Sequence, residues 1–173
     1  LDLLSSSDLG PITPDQERAL QVMLRSSERL ERLIEDLIMF SKANRGEVTI
    51  HWSHFNLASV CQAVYQRAIP KAEEKRVRLD LVISQRNIDI EADEEKISWT
   101  LMQLLDNAIK FTPAGKSVEL RLSAEEEYVQ VSVTDEGIGI PENRREEMFE
   151  PFHQLDGSST RRYGGTGLGL ALV

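Results

Sequence analysis

The 173-residue sequence predicts an α+β fold, in which helices lie on one face of a mixed, mostly antiparallel sheet and one long helix comes first. Two observations predict this class. Segments whose apolar residues recur at helical spacing are mixed with segments in which apolar and polar residues alternate. The two kinds of segment do not follow one another regularly, as they would in a parallel βαβ fold.

Composition and charge restrict the function. The sequence is 40% hydrophobic and 28% charged, as in soluble globular domains. A net charge of -9 disfavours binding to nucleic acid or anionic membranes, because both would repel the protein. The single Cys61 excludes an internal disulfide, and no Cys/His cluster has zinc spacing. The sequence shows no membrane-spanning run and no signal peptide, so we expect a cytoplasmic location for this segment. Anchoring of the full protein in an inner membrane stays open.

The first predicted element is a long helix from about residue 14 to 44. Thr13 is the expected N-cap, Pro14 the first helical residue and Gln16 the partner in a capping box, while Gly46 marks the end. The near-heptad spacing of its apolar residues favours packing against a partner helix over packing on its own domain. These residues are Leu20, Met23, Leu24, Leu30, Leu33, Ile34, Leu37, Ile38 and Phe40.

The remaining elements are predicted by alternation and by helical spacing. In chain order they are a strand with Val48, Ile50 and Trp52, a helix from Leu57 to Lys75, a strand from Val77 to Ile83, a strand from Ile88 to Glu91, a helix capped by Asp93 and ending at Phe111, and two adjacent antiparallel strands over 118–122 and 129–133.

The helix that ends at Phe111 carries an unusual polar stripe. Its apolar residues cluster on one arc, whereas Thr100, Gln103, Asn107 and Lys110 share another. Two amides and an ammonium group therefore face the same way. Taken alone, the stripe is better explained as the solvated face of an amphipathic helix.

A second motif follows the last predicted strand. Asp135 stands at the strand end, and Gly137 and Gly139 flank an aliphatic residue. Glycines let the backbone approach a flat ligand closely, and a carboxylate can accept a hydrogen bond from an exocyclic amine. A single GxG is a weak signal, since most such pairs only form turns.

The third motif lies near the C-terminus. Phe149 and Phe152 precede a polar segment, and the glycines between Gly165 and Gly169 begin an apolar helix. Free backbone N–H groups at a helix N-terminus bind phosphate. A flexible glycine linker is the alternative for this segment alone.

In combination the motifs are specific. NAIKFTPAG, DEGIGIP, FEPFHQLD and RRYGGTGLGLALV, in this order, resemble the N, G1, F and G2 boxes of the GHKL (Bergerat-fold) ATP-binding domain, in the form found in sensor histidine kinases. The first helix, ending ERLIEDLIMFSKANRGE, resembles the second helix of that family's dimerisation and phosphotransfer hairpin. The resemblance covers almost the whole chain. It implies a partial hairpin over residues 1–46 and an ATP-binding catalytic domain over 47–173 that is truncated at its C-terminus.

The resemblance also implies a site for ATP and Mg²⁺. Asn107 would coordinate the magnesium ion, Lys110 would neutralise phosphate charge, Phe111 would flank the adenine, and Asp135 would accept from its amino group. The other residues implied to bind the nucleotide are Gly137, Ile138, Gly139, Ile140, Phe152, Gly164, Gly165, Thr166, Gly167, Leu168 and Gly169.

Catalytic roles follow from the same resemblance. The segment from His153 to Tyr163 would form a lid hinged at Gly157 and Gly164, and Arg161 or Arg162 would meet the γ-phosphate. Gln103 stands one turn before Asn107, where hydrolytic relatives such as gyrase carry a glutamate base. An amide cannot take a proton, which favours transfer to a histidine over hydrolysis.

The acceptor histidine of the family has no counterpart here. The three histidines are His51, His54 and His153, and the first two are expected to be structural or exposed. The resemblance implies that the full protein phosphorylates a histidine, passes the phosphate to a response-regulator receiver domain and forms a homodimer through its hairpin. Two alternatives remain at this point: a degenerate nucleotide-sensing or scaffolding module, and a hydrolytic relative of the gyrase type.

Overall fold

The computed structural model of the chain describes residues 12–153 and 167–173. It separates into two compact units, with the division between Glu47 and Val48. Among the described residues, no helix is both long and apolar enough to cross a membrane.

The first unit contains helix α1, Pro14–Asn44. Its predicted capping box is confirmed, because the Thr13 side chain accepts from the Gln16 backbone N–H and the Gln16 side chain accepts from the Thr13 N–H at 2.8 Å. Gly46, with φ +65°, follows the C-cap. At least half of the surface of several apolar side chains on α1 is exposed: Val22, Met23, Leu30, Ile34, Leu37 and Ile38.

In its described residues, the second unit combines two sheets with two α-helices. Its elements are β1 (Ser53–Asn56), α2 (Leu57–Lys75), β2 (Arg78–Ile83), β3 (Asp89–Ala92), α3 (Glu94–Phe111), β4 (Ser117–Ala124), β5 (Val129–Asp135) and short 3-10 helices at Glu142–Arg144, Glu147–Phe149 and Leu170–Leu172. Strands β1 and β3 form an antiparallel pair. The other sheet has the order β2-β4-β5, with β2 parallel and β5 antiparallel to β4. The predicted α+β class, with a mixed and mostly antiparallel arrangement, is confirmed.

Both helices of this unit begin at side-chain caps. The Asn56 side chain accepts from the backbone N–H groups of Ala58 and Ser59 at the start of α2. The Asp93 side chain accepts from the Lys96 N–H at the start of α3, as predicted. Such caps satisfy N–H groups that have no partner inside the helix. They fix where each helix starts.

The core lies between the two helices and the three-stranded sheet. Both α2 and α3 contact this sheet, and they also pack against each other. The register places Leu120 of β4 opposite Leu81 of β2 and Val133 of β5. The fully buried side chains include Val64, Leu105, Ile109, Val118, Leu120 and Leu122. Burial of one such aliphatic side chain contributes about 1.5–3 kcal/mol.

Two predicted elements differ from the structure. Val48, Ile50 and Trp52 alternate as predicted, but residues 47–52 are irregular and the strand lies at Ser53–Asn56 instead. The strand lies there because Ser53–Asn56 pair with the four residues of β3, from Ser53 opposite Ala92 to Asn56 opposite Asp89. The apolar residues after Gly169 form a 3-10 helix, Leu170–Leu172.

Candidate functional site

The C-terminal half of α3 presents the predicted polar stripe. Leu105 and Ile109 are fully buried and anchor the helix on the sheet, so the opposite side faces outward. Gln103, Asn107 and Lys110 are all half-buried there. The Lys110 ammonium lies 4.7 Å from the centre of the Phe111 ring, a cation–π contact.

The loop after β5 lies against the end of α3. The Ile138 backbone N–H donates to the carbonyl oxygen of Phe111 at 3.3 Å. The Asp135 carboxylate accepts from the Gly137 N–H at 2.8 Å, which fixes the orientation of its side chain. A Cβ atom on Gly137 would lie 2.4 Å from Asp135 Oδ1 and 3.0 Å from the Phe111 carbonyl oxygen. Only glycine therefore permits this close approach of loop and helix.

The C-terminal glycine segment reaches α3 one turn before Asn107. A Cβ atom on Gly169 would lie 2.7 Å from Gln103 Oε1, so the Gln103 amide rests against that glycine. Gly167, at φ +71°, accepts a hydrogen bond through its carbonyl from the Phe152 N–H at 2.9 Å. Phe152 itself has φ +62°, a conformation that side-chain-bearing residues rarely adopt. The F and G2 segments thus meet each other, and G2 meets α3.

The second and third motifs therefore both contact the C-terminal half of α3. Gln103 contacts the glycine segment and Phe111 contacts the loop after β5, and the helical rise separates these two positions by roughly 12 Å. Leu168 is buried and Gly169 half-buried, whereas Asp135, Ile138, Gly139, Ile140 and Phe152 are exposed. The predicted residues Gly157, Arg161, Arg162, Gly164, Gly165 and Thr166 lie outside the described residues. His51 and His54 are exposed, as expected.

Sequence reasoning missed a group of polar contacts that hold this region together. The Lys75 ammonium donates to the carbonyl oxygens of Ile109 (2.7 Å) and Lys110, and the Lys71 ammonium lies 2.6 Å from Asp106 Oδ1. The two lysines are spaced i, i+4 at the end of α2, which places them on one helix face. The sequence shows this spacing, but it does not show that the two lysines face α3.

A carboxylate also ties the loop after β5 to the sheet. Glu136 accepts from both the hydroxyl and the backbone N–H of Ser117, at 2.7 and 2.8 Å. These hydrogen bonds, the hydroxyl one first, lower the pKa of Glu136. At the other end of α3, hydrogen bonds from the Lys96 side chain, then from the His51 and Lys96 N–H groups, hold the pKa of Asp93 well below its usual range. Both carboxylates are therefore ionised anchors.

The amide of Asn107 offers an oxygen donor of the kind that Mg²⁺ accepts. Within residues 12–153 and 167–173 there is no group of three His, Cys, Asp or Glu side chains that could enclose an ion. Mg²⁺ keeps several waters and takes one or two protein oxygens together with substrate phosphates. The amide oxygen of Asn107, half-buried beside Gln103, is a donor of this kind.

A separate apolar cavity of about 650 Å³ lies near the N-terminal half of α3. None of the predicted site residues lines it. Its walls include Trp52, Ile90, Ile97, Leu101, Tyr128 and Val131.

Known proteins resemble this chain over the same regions. The model of the family described as histidine kinase-, DNA gyrase B-, and HSP90-like ATPase matches residues 92–173. The circadian input-output histidine kinase CikA of Synechococcus elongatus is 36% identical over 166 residues, which cover 95% of this chain and 22% of CikA. This chain thus spans about a fifth of that relative.

Solved structures agree. Full-length ShkA, crystallised in complex with AMPPNP, has a TM-score of 0.77 at 27% identity, with 95% of this chain and 34% of that chain covered. The catalytic domain of the histidine kinase ThkA has a TM-score of 0.62 at 28% identity, with 70% and 76% covered. The sequence motifs, the fold and these likenesses agree: residues 92–173 match the histidine kinase-, DNA gyrase B-, and HSP90-like ATPase family, and the relatives and solved structures to which the chain is similar are histidine kinases.

Proposed function

We propose that the second unit binds Mg-ATP as the catalytic domain of a sensor histidine kinase. The observation that carries this proposal is the contact of both glycine segments with the C-terminal half of α3, Gly169 with the Gln103 side chain and Gly137 with the Phe111 carbonyl group. Asn107 and Lys110 lie between these contacts on the helix. The structural neighbour ShkA was crystallised in complex with AMPPNP, which supports ATP as the ligand.

Each residue has a role that its chemistry suits. Asp135 accepts from the adenine amino group, while the Gly137 N–H holds its carboxylate in place. Phe111, Ile138, Gly139 and Ile140 line the base. Lys110 neutralises phosphate charge, and the Phe111 ring restrains its ammonium at 4.7 Å.

The phosphate end of the site is assigned to the glycine segment. Gly164 to Gly169, with Phe152 beside Gly167, surround the phosphates, and Arg161 or Arg162 meets the γ-phosphate. Asn107 contributes an amide oxygen to Mg²⁺, and the ion supplies charge neutralisation at the transferring phosphoryl group.

Catalysis then depends on positioning and on charge. Phosphoryl transfer needs an acceptor in line with the leaving oxygen and cations that balance the developing charge. The amide of Gln103, held against Gly169, cannot remove a proton from water. This favours transfer over hydrolysis, and the proposed acceptor is a histidine of the phosphotransfer hairpin, from which a response-regulator aspartate receives the phosphate afterwards.

Helix α1 is assigned to dimerisation. Its stripe of exposed apolar side chains, including Leu30, Ile34 and Leu37, has the near-heptad spacing of a helix that packs against others. A second copy of the chain, joined through the complete hairpin, supplies that surface.

Titration calorimetry with Mg-ATP tests the proposal. We expect binding by the wild-type chain and a loss of affinity of at least tenfold for both Asp135→Asn and Asn107→Asp. Glu91→Gln, on the exposed side of β3, is the charge control and should bind like wild type. Absence of binding heat with folded wild-type protein would refute the proposal.

A second measurement separates the kinase from its alternatives. Radiolabelled phosphate from ATP should appear on a separately supplied hairpin domain that carries the acceptor histidine. Steady release of free phosphate without that domain would favour the hydrolytic class. Binding without either reaction would favour a scaffolding module.

A further inference from the structure

Lys75 makes an unusual contact for a surface lysine. It is the last residue of α2, and its half-buried ammonium donates to the carbonyl oxygens of Ile109 and Lys110 in the last turn of α3. Burial, and then the nearby Lys71 ammonium, lower the pKa of Lys75. The side chain thus reaches from one helix to the C-terminal end of the other.

That end of α3 is the place where carbonyl groups lack helical partners. The last carbonyls of a helix have no intrahelical N–H and carry its partial negative charge. Three successive carbonyl oxygens accept hydrogen bonds here. Lys75 donates to those of Ile109 and Lys110, and the Ile138 N–H donates to that of Phe111. One turn of helix therefore connects α2 with the loop after β5.

The same turn carries two of the proposed nucleotide residues. Lys75 holds the carbonyl oxygens of Ile109 and Lys110, which belong to the peptide groups on either side of Lys110. The next carbonyl along the chain is that of Phe111. The Gly137 backbone packs against that carbonyl at a distance that leaves no room for a methyl group. A small rotation of this turn would displace the loop that holds Asp135.

We propose that Lys75 is a positioning residue for the adenine end of the nucleotide site, acting through the last turn of α3 on the loop after β5, whose Gly137 N–H orients the Asp135 carboxylate. This proposal rests on the proposed function, because it assigns Lys75 a role at the same site. Lys75 itself does not contact the nucleotide. The ion pair of Lys71 with Asp106, one turn earlier on both helices, holds the same two helices and does not reach the loop.

The test compares three variants of the full chain. Lys75→Met keeps the aliphatic stem and removes the donors, whereas Lys75→Arg keeps charge and donors. Arg67→Met removes an exposed positive charge from the same helix and is the matched control. Far-UV circular dichroism verifies folding, calorimetry gives the Mg-ATP dissociation constant, and amide hydrogen exchange follows the Ile138 N–H.

Lys75→Met removes both hydrogen bonds to the last turn of α3 and should weaken Mg-ATP binding about tenfold, because part of their free energy is lost as displacement of the loop after β5. Exchange at the Ile138 amide should accelerate by a similar factor without nucleotide. Lys75→Arg should stay within about threefold of wild type in both measurements, and Arg67→Met should change neither. If Lys75→Met does not fold, Lys75→Gln, with a shorter donor, should show an intermediate loss.

Two results separate failure of this proposal from failure of the proposed function. Wild-type binding together with unchanged affinity in a folded Lys75→Met or Lys75→Gln variant overturns the role of Lys75 alone. Weaker binding with unchanged Ile138 exchange also overturns it, since the effect would not pass through the loop. If the wild-type chain binds no Mg-ATP, both the proposed function and the role of Lys75 are refuted.

Discussion

Replacement of Gly137 by alanine tests the meeting of α3 with the loop after β5. The new methyl group would lie 2.4 Å from Asp135 Oδ1, 3.0 Å from the carbonyl oxygen of Phe111 and 3.3 Å from its carbonyl carbon. The carboxylate can rotate away, but the Phe111 carbonyl belongs to the backbone and accepts from the Ile138 N–H. The variant must therefore move the loop, the carboxylate or both.

The cost follows from these contacts. Insertion of a methyl group into a packed contact costs about 1–3 kcal/mol. Rotation of Asp135 also breaks its hydrogen bond from the Gly137 N–H, which contributes about 1 kcal/mol at an exposed position. We expect a loss of about 2 kcal/mol in the free energy of unfolding, which lowers the Tm of a domain of this size by roughly 4–8 °C. Displacement of Asp135 should weaken Mg-ATP binding about tenfold or more.

Urea unfolding followed by circular dichroism measures the first effect and calorimetry the second. Gly115→Ala is the matched control: Gly115 has φ +85° with no atom within 4 Å of a new methyl group, so alanine costs about 1–2 kcal/mol of backbone strain away from the site. We expect the control to lose stability and keep its affinity. Wild-type stability in Gly137→Ala, or an equal loss of affinity in both variants, would refute the reasoning.

Three further predictions concern other parts of the second unit. Because hydrogen bonds hold the pKa of Asp93 well below its usual range, its contribution to stability should be complete above about pH 4 and be lost as the pH falls further, so Asp93→Asn should flatten the acid dependence of urea unfolding. Gly169→Ala should cost less than about 1 kcal/mol, since the new methyl group meets only the flexible end of Gln103, and this cost should vanish in a Gln103→Ala background; additive losses in the double-mutant cycle would contradict the contact. Burial raises the pKa of the Cys61 thiol to about 11, so iodoacetamide at pH 8 should modify it only after unfolding, as mass spectrometry would show; rapid labelling of the folded chain would contradict its burial.

Local sequence signals predicted most elements of the fold. Thr13 and Asp93 were predicted as caps, and each side chain accepts a backbone N–H at the start of a helix. Asn56 caps α2 in the same way, although it was not predicted as a cap. The antiparallel pair over 117–124 and 129–135 follows from alternation across a short polar turn. The first strand was misplaced because alternation at Val48 to Trp52 says nothing about which residues find a pairing partner.

The site was predictable only in part. Its motifs are short stretches of sequence, whereas the contacts that hold them in place join residues far apart in the chain. Gln103, Asn107 and Lys110 share a face by helical geometry alone, and Asp135 ends a strand in a recognisable glycine context. Lys75 reaches carbonyls 34 and 35 residues later in the chain, and no local pattern encodes such a contact. The contact of Phe152 with Gly167 likewise depends on tertiary folding.

The position of Gln103 bears on the choice between phosphoryl transfer and hydrolysis. Its side chain is half-buried, and its amide oxygen rests against Gly169 at the start of the last helical turn, beside the proposed phosphate site. A general base must accept a proton near neutral pH, which an amide cannot do, although it can orient a bound group through hydrogen bonds. A water molecule at this place would therefore be held without being activated by Gln103. We infer that the site favours an acceptor that brings its own nucleophilic nitrogen, since a neutral imidazole needs no activation by the side chain at this position.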